Sequence, residues 1–129
     1  MKAEGNDLFK AAKFELALEK YTQVIEKVPY TYGEAMDPLL VSSYNNRAAC
    51  YQQLGFYRKV TEDCSVVLEH DPRNLKALLR RGLALESLEK FRAALQDIRA
   101  VLAIDPSVDM ANKAQHRLGA AVRRLRSHK

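Results

Sequence analysis

The chain is poor in the residues that most often carry chemistry. It has two cysteines, three histidines, five glycines and no tryptophan. Cys50 and Cys64 lie fourteen residues apart, outside any Cys-x-x-Cys and without a neighbouring histidine, which leaves no metal or redox motif. They are expected to be reduced thiols in the core or beside a groove. His70, His116 and His128 are scattered and form no ligand spacing. No glycine-rich phosphate loop occurs, and no nucleophile stands near a plausible base. Catalysis is therefore not expected, and neither is a cofactor. Nor is there a run near the roughly 20 apolar residues that a membrane span needs. The opening MKAEGND is polar and lacks the apolar core of a signal peptide, so the expected compartment is the cytoplasm.

What is present is helical in character. The 129 residues are 47% hydrophobic and 29% charged, rich in Ala, Leu, Glu, Lys and Arg, and sufficient for one domain with a core. The net charge of +5 is unevenly spread. From Met110 onward there are six basic residues and no acid, whereas the first 109 residues carry fifteen basic and sixteen acidic groups. A neutral body with a basic end argues poorly for nucleic-acid binding. RRLRSHK has no interleaved aromatic and is read as a solubilising helix end before a nucleic-acid or anionic-membrane contact. Glu62 and Asp63 are read as a solvated pair.

The chain repeats itself. A shift of 34 lays Leu54 on Leu88, Tyr57 on Phe91, Asp63 on Asp97, Val67 on Val101 and Asp71-Pro72 on Asp105-Pro106. Upstream it lays Arg47 on Arg81 and Ala48 on Gly82. An earlier copy has the same internal spacing: Gly5, Ala17, Tyr21 and Pro29 match Ala48, Val60, Cys64 and Pro72, and then Gly82, Ala94, Ile98 and Pro106. Small residues let two helices approach closely, larger ones fill the seam, and proline ends the second helix. A two-helix unit of 34 residues resembles the tetratricopeptide (TPR) repeat. The resemblance covers about residues 1–106 and implies an all-α solenoid with a right-handed superhelical twist. Repeats are expected over about 1–30, 41–73 and 74–107, with a nine-residue insertion within about 30–40. Met110, Ala114, Leu118, Ala121, Val122 and Leu125 then form one apolar stripe at helical spacing, read as a capping helix over about 108–127.

Within TPR proteins the first helix of each pair lines the concave groove. Here those helices carry Lys2 and Asn6 at i and i+4, Asn46, and Lys76 and Arg80 again at i and i+4. The set resembles the two-carboxylate clamp of TPR domains that hold the C-terminal Glu-Glu-Val-Asp of heat shock protein 90 and heat shock protein 70. That resemblance implies that Lys2, Asn6 and Asn46 grip the main-chain carboxylate. Lys76 would hold the aspartate side chain, and Arg80 would reach that residue or the backbone before it. Phe9 and Ala49, one turn further along, would flank the valine. The chemistry suits the types: a terminal aspartate carries two carboxylates, cations give charge-assisted donors, and asparagine amides add direction.

The chain is thus expected to be a protein–protein adaptor, a monomer and part of a longer multidomain protein. The competing reading is a TPR scaffold for a partner without a free C-terminus. Two departures from the family pattern stand out: Val60 where alanine is usual, and Glu89 where the helix-turn-helix bend usually has glycine.

Overall fold

The computed structural model describes residues 2–28 and 35–127, the side chains of Lys2 and Ser127 excepted. It is all-α. The described residues form α1 (Lys2–Lys10), α2 (Phe14–Lys27), α3 (Pro38–Leu54), α4 (Tyr57–His70), α5 (Leu75–Ser87), α6 (Phe91–Ile104) and α7 (Asp109–Ser127). Each helix packs on the next, and α1 on α3, α3 on α5 and α5 on α7 also touch. The described residues form a stack of three helical hairpins closed by a seventh helix.

All three hairpins turn in the same way. The amides of Lys13, Phe56 and Lys90 donate back across six residues to the carbonyls of Leu8, Tyr51 and Leu85, at 2.8, 2.9 and 2.9 Å. This Schellman closure puts the residue just before each donor in the left-handed region. At Gly55 (φ +79°) that costs nothing. Ala12 (φ +59°) and Glu89 (φ +60°) adopt it despite a Cβ. The turn geometry therefore survives without the expected glycine, at a local cost.

Helix starts are encoded less obviously. Asp37 caps α3 by accepting from the Leu39 amide at 2.7 Å, with Pro38 in the first turn, where its missing N–H is no loss. α3 thus begins at Pro38, inside the stretch expected to hold the insertion. Residues 29–34, which include Pro29 and part of the stretch expected to hold the insertion, lie outside the described residues. Asn74 caps α5 through the Ala77 amide at 3.0 Å.

The main core runs from Ala48 through Val60, Cys64, Val67, Ala94, Ile98 and Val101 to Ala111 and Leu118. Val60 is fully buried, so the seam accepts valine where alanine was anticipated. Gly82 eases the approach there: a Cβ on it would lie 2.9 Å from Ile98 Cδ1, which would have to shift. The apolar stripe of α7 runs as expected in its middle and differs at its two ends. Ala111, Ala114, Leu118, Ala121 and Val122 are buried, whereas Met110 and Leu125 are 56% and 40% exposed. α7 is pinned to α5 by a two-bond ion pair, Arg117 to Glu86, at 3.0 and 2.9 Å.

Two arginines fasten the stack. Arg47 on α3 donates to both oxygens of Asp63 on α4, at 2.8 and 2.7 Å, and reaches Thr22 Oγ1 on α2 at 3.3 Å. Arg81 on α5 repeats this with Asp97 on α6, at 2.7 and 2.8 Å, and with Ser65 Oγ on α4 at 3.2 Å. Each guanidinium thus joins its own hairpin to the preceding one. Asp63 and Asp97 are buried, which corrects the reading of Asp63 as solvated; Glu62 is exposed.

Candidate functional site

One cavity lies where α1, α2, α3 and α5 meet. Its volume is about 260 Å3, and Asn6, Phe9, Lys10, Tyr21, Asn46, Ala49 and Arg80 line it. Three of the five anticipated clamp residues, Asn6, Asn46 and Arg80, are therefore together, and both flanking residues, Phe9 and Ala49, are with them. Lys76 is exposed, one turn before Arg80 on α5, and is not part of the lining. The backbone of Lys2 opens α1. Its side chain lies outside the described residues.

The floor is a short hydrogen-bond chain. Asn6 Oδ1 accepts from the Tyr21 hydroxyl at 2.5 Å and from Asn46 Nδ2 at 3.4 Å. In this arrangement Asn6 Oδ1 takes two donors, which leaves its Nδ2 available to donate. No acceptor for that group is found among the described residues. Tyr21 is 1% exposed, and burial first, then Cys50, raises its hydroxyl pKa to about 12, so it stays a donor. Gly5 makes the approach possible, since a Cβ there would lie 2.7 Å from the Tyr21 ring. Phe9 meets Phe14 edge-to-face at 5.1 Å, fixing one wall to the α1–α2 turn.

Arg80 gives the cavity its sign. It donates to two neutral acceptors, Gln52 Oε1 at 3.4 Å and the Asn45 carbonyl at 3.2 Å. No carboxylate partners it among the described residues. Its neighbour Arg81 behaves oppositely: the hydrogen bond to Asp97 raises the Arg81 pKa, while burial lowers that of Arg80. Lys10, one turn beyond Asn6, adds a second cation at the rim, and no acidic residue lines the cavity. A half-buried guanidinium, two amides and a nearby ammonium can bind an anion whose oxygens accept several hydrogen bonds.

Tyr21 and Lys10 were not anticipated as part of this site. The repeat spacing puts Tyr21 in the seam, which it also fills. Lys10 carried a signal, the i+4 spacing from Asn6, that only the cavity makes meaningful. Among the described residues no group of three or more His, Cys, Asp or Glu side chains is placed to hold a metal ion. Nor is any described helix long and apolar enough to cross a membrane.

No family model matches the chain. Sperm-associated antigen 1A of Danio rerio is 44% identical over 118 residues, which is 92% of this chain and 27% of that protein. The chain spans about a quarter or less of the length of the curated relatives it matches first. The second TPR domain of human RPAP3, solved with the HSP70 peptide SGPTIEEVD, is 30% identical with a TM-score of 0.78, covering 92% of this chain and 91% of that one. The first TPR of Spaghetti (RPAP3), bound to the HSP90 peptide SRMEEVD, is 27% identical with a TM-score of 0.83, covering 94% and 89%. With repeated hairpins, a closing helix and a likeness spanning nearly all of a solved TPR domain, the chain belongs to the tetratricopeptide repeat family.

Proposed function

We propose that this chain is a chaperone-binding adaptor module whose cavity takes the C-terminal carboxylates of a Glu-Glu-Val-Asp tail. The observation that carries the reading is Arg80, a half-buried cation without a carboxylate partner among the described residues, beside the Asn6–Asn46 pair. A buried charge left without a counter-charge costs stability, and an incoming carboxylate offsets that cost. The two RPAP3 complexes support the reading, because the peptides named with them end in Glu-Glu-Val-Asp.

In this proposal Asn6 Nδ2, Asn46 and Lys2 hold the main-chain carboxylate. Arg80 and Lys76 take the aspartate side chain and the backbone before it, and Phe9 and Ala49 flank the valine. Each charge-assisted bond contributes roughly 1.5–3 kcal/mol before the tail is ordered. After that cost a dissociation constant on the order of micromolar is expected. The repeats at about 1–30, 41–73 and 74–107 form the module, and its setting in a larger cytoplasmic protein belongs to the same proposal.

The test is calorimetric titration with Ser-Arg-Met-Glu-Glu-Val-Asp and Ser-Gly-Pro-Thr-Ile-Glu-Glu-Val-Asp, each beside its C-terminal amide, repeated on Lys76→Ala. Micromolar binding of the acids, lost on amidation and weakened in the variant, is expected. Equal binding of acid and amide would overturn the clamp and favour a scaffold for internal peptides.

A further inference from the structure

A second concave surface lies between α6 and α7, built from residues that the first cavity does not use. A groove of about 450 Å3 is lined by Arg92, Leu95, Gln96 and Arg99 from α6 and by Gly119, Val122, Arg123 and Arg126 from α7. A smaller cavity of about 270 Å3 continues it past Gly119 toward Gln115 and His116. Neither has an aspartate or glutamate in its lining. Arg92, Arg99 and Arg126 are exposed and have no carboxylate partner among the described residues. The basic end of the sequence supplies only half of this charge. The rest comes from α6, in the part of the chain whose overall balance is neutral.

We propose that this groove docks an acidic, non-terminal segment of a partner protein. Its shape is that of a trough with charged banks. Arg92 and Arg99 lie seven residues apart on one helix, Gly119 and Arg126 seven apart on the other, so each bank is about 10 Å long. That length takes about three extended residues, at about 3.3 Å each. Leu95 and Val122, 6% and 8% exposed, supply an apolar floor between the banks. A segment with one hydrophobic side chain flanked by carboxylates satisfies both surfaces. A free phosphate would leave the floor unused. A single nucleic-acid strand would want aromatic stacking partners, and the lining has none. Gly119 lies in the lining, in the interior of α7; a Cβ there would make only ordinary contact with Arg123 Nη1 at 3.5 Å, so a longer side chain is needed to fill the trough.

The test uses the whole chain and Asp-Glu-Glu-Leu-Glu-Glu-Asp-amide carrying fluorescein on its N-terminal amine, which has no free C-terminal carboxylate for the first cavity. Anisotropy at about 50 mM salt should show saturable binding that falls about tenfold or more in Arg92→Glu/Arg99→Glu. Binding should also drop in Gly119→Leu and persist in Arg80→Met. Exposed arginines can be exchanged without unfolding the chain, which thermal melts would verify, and titration with Ser-Arg-Met-Glu-Glu-Val-Asp should be unchanged in the double variant. Absence of peptide binding, or equal binding by the double variant, would overturn the proposal. So would displacement of the peptide by a stoichiometric amount of a 15-base-pair DNA duplex or of phosphatidylserine vesicles, which would assign the trough to a polyanion or a lipid surface.

Discussion

Arg80 and Arg81 are adjacent in sequence, yet removing the charge from each should have opposite consequences. In Arg81→Met, the Asp97 carboxylate keeps its buried position, 5% exposed, and loses both short hydrogen bonds. Leaving one partner of a buried pair costs about 3–5 kcal/mol. For a chain of this size each kcal/mol moves the melting temperature by about 3–5 °C, so a fall of roughly 10–20 °C is expected. In Arg80→Met nothing charged is orphaned. The lost bonds are long, 3.4 and 3.2 Å, and go to neutral oxygens, while a cation no longer has to be desolvated. The net change in stability should lie within about 1 kcal/mol of zero. Binding should separate the two in the other direction. Arg80→Met should lose about 1.5–3 kcal/mol of affinity for the free-acid peptide, roughly a 10- to 150-fold weakening. Arg81→Met should bind nearly normally at temperatures where it is folded. Thermal melts by circular dichroism, paired with calorimetric titration below the lower melting point, measure both effects on the same samples. An Arg80→Met variant that melts as low as Arg81→Met, or one that binds the peptide undiminished, would refute the assignment of Arg80 as a cation held for a ligand.

Three further outcomes are expected. Glu89→Gly relieves a left-handed residue that costs about 1–2 kcal/mol, offset in part by the added freedom of glycine in the unfolded chain, so denaturant unfolding should show a gain of about 0.5–1 kcal/mol. Gly5→Ala should press on the Tyr21 ring, cost about 1–3 kcal/mol in the same assay, and weaken peptide binding by displacing Asn6. Alkali should destabilise the fold through its thiols. Burial raises Cys50 to about 11 and Cys64 to about 12, so both stay neutral in the fold while the unfolded chain ionises from about pH 9. Their contribution is complete below that pH and is lost as pH rises toward the folded values, by about 1.4 kcal/mol per thiol at pH 10. Denaturation midpoints at pH 8 and pH 10, in the parent and in Cys64→Ala, should show the variant losing less.

The helix pairing and the small residues at the seams were legible because each is a local rule repeated in three copies, and the period of 34 because it relates the second copy to the third without a gap. Helix starts were less so. Asp37-Pro38 is a capping signature, but it sat inside a stretch read as insertion. In α7 the stripe was drawn through Met110 when Ala111 is the buried residue, an error of one position that a helical pattern near a terminus hardly constrains. The arginine–aspartate staples were visible as coincidences, Arg47 over Arg81 and Asp63 over Asp97, without the spacing of 16 being read as a contact across the hairpin. Of the candidate site, Asn6, Asn46 and Arg80 came together, whereas Lys76 stands outside the cavity at the exposed face of α5. The α6–α7 trough was not legible, because its charge is divided between two segments whose facing is a tertiary fact.

The first hairpin carries the same staple with its polarity reversed. At the positions matching Arg47 and Asp63 stand Glu4 and Lys20, whose groups meet at 3.3 Å with side chains 62% and 34% exposed. A pair so wet contributes at most about 1 kcal/mol, and no third contact accompanies it among the described residues. The stack is therefore graded, firmest toward Arg81 and loosest at α1. Amide hydrogen exchange should reveal α1 opening well before α5 and α6 do. Since α1 supplies Asn6 and Phe9, ligand and α1 should tighten together, and occupancy of the cavity would be read out as protection of that helix.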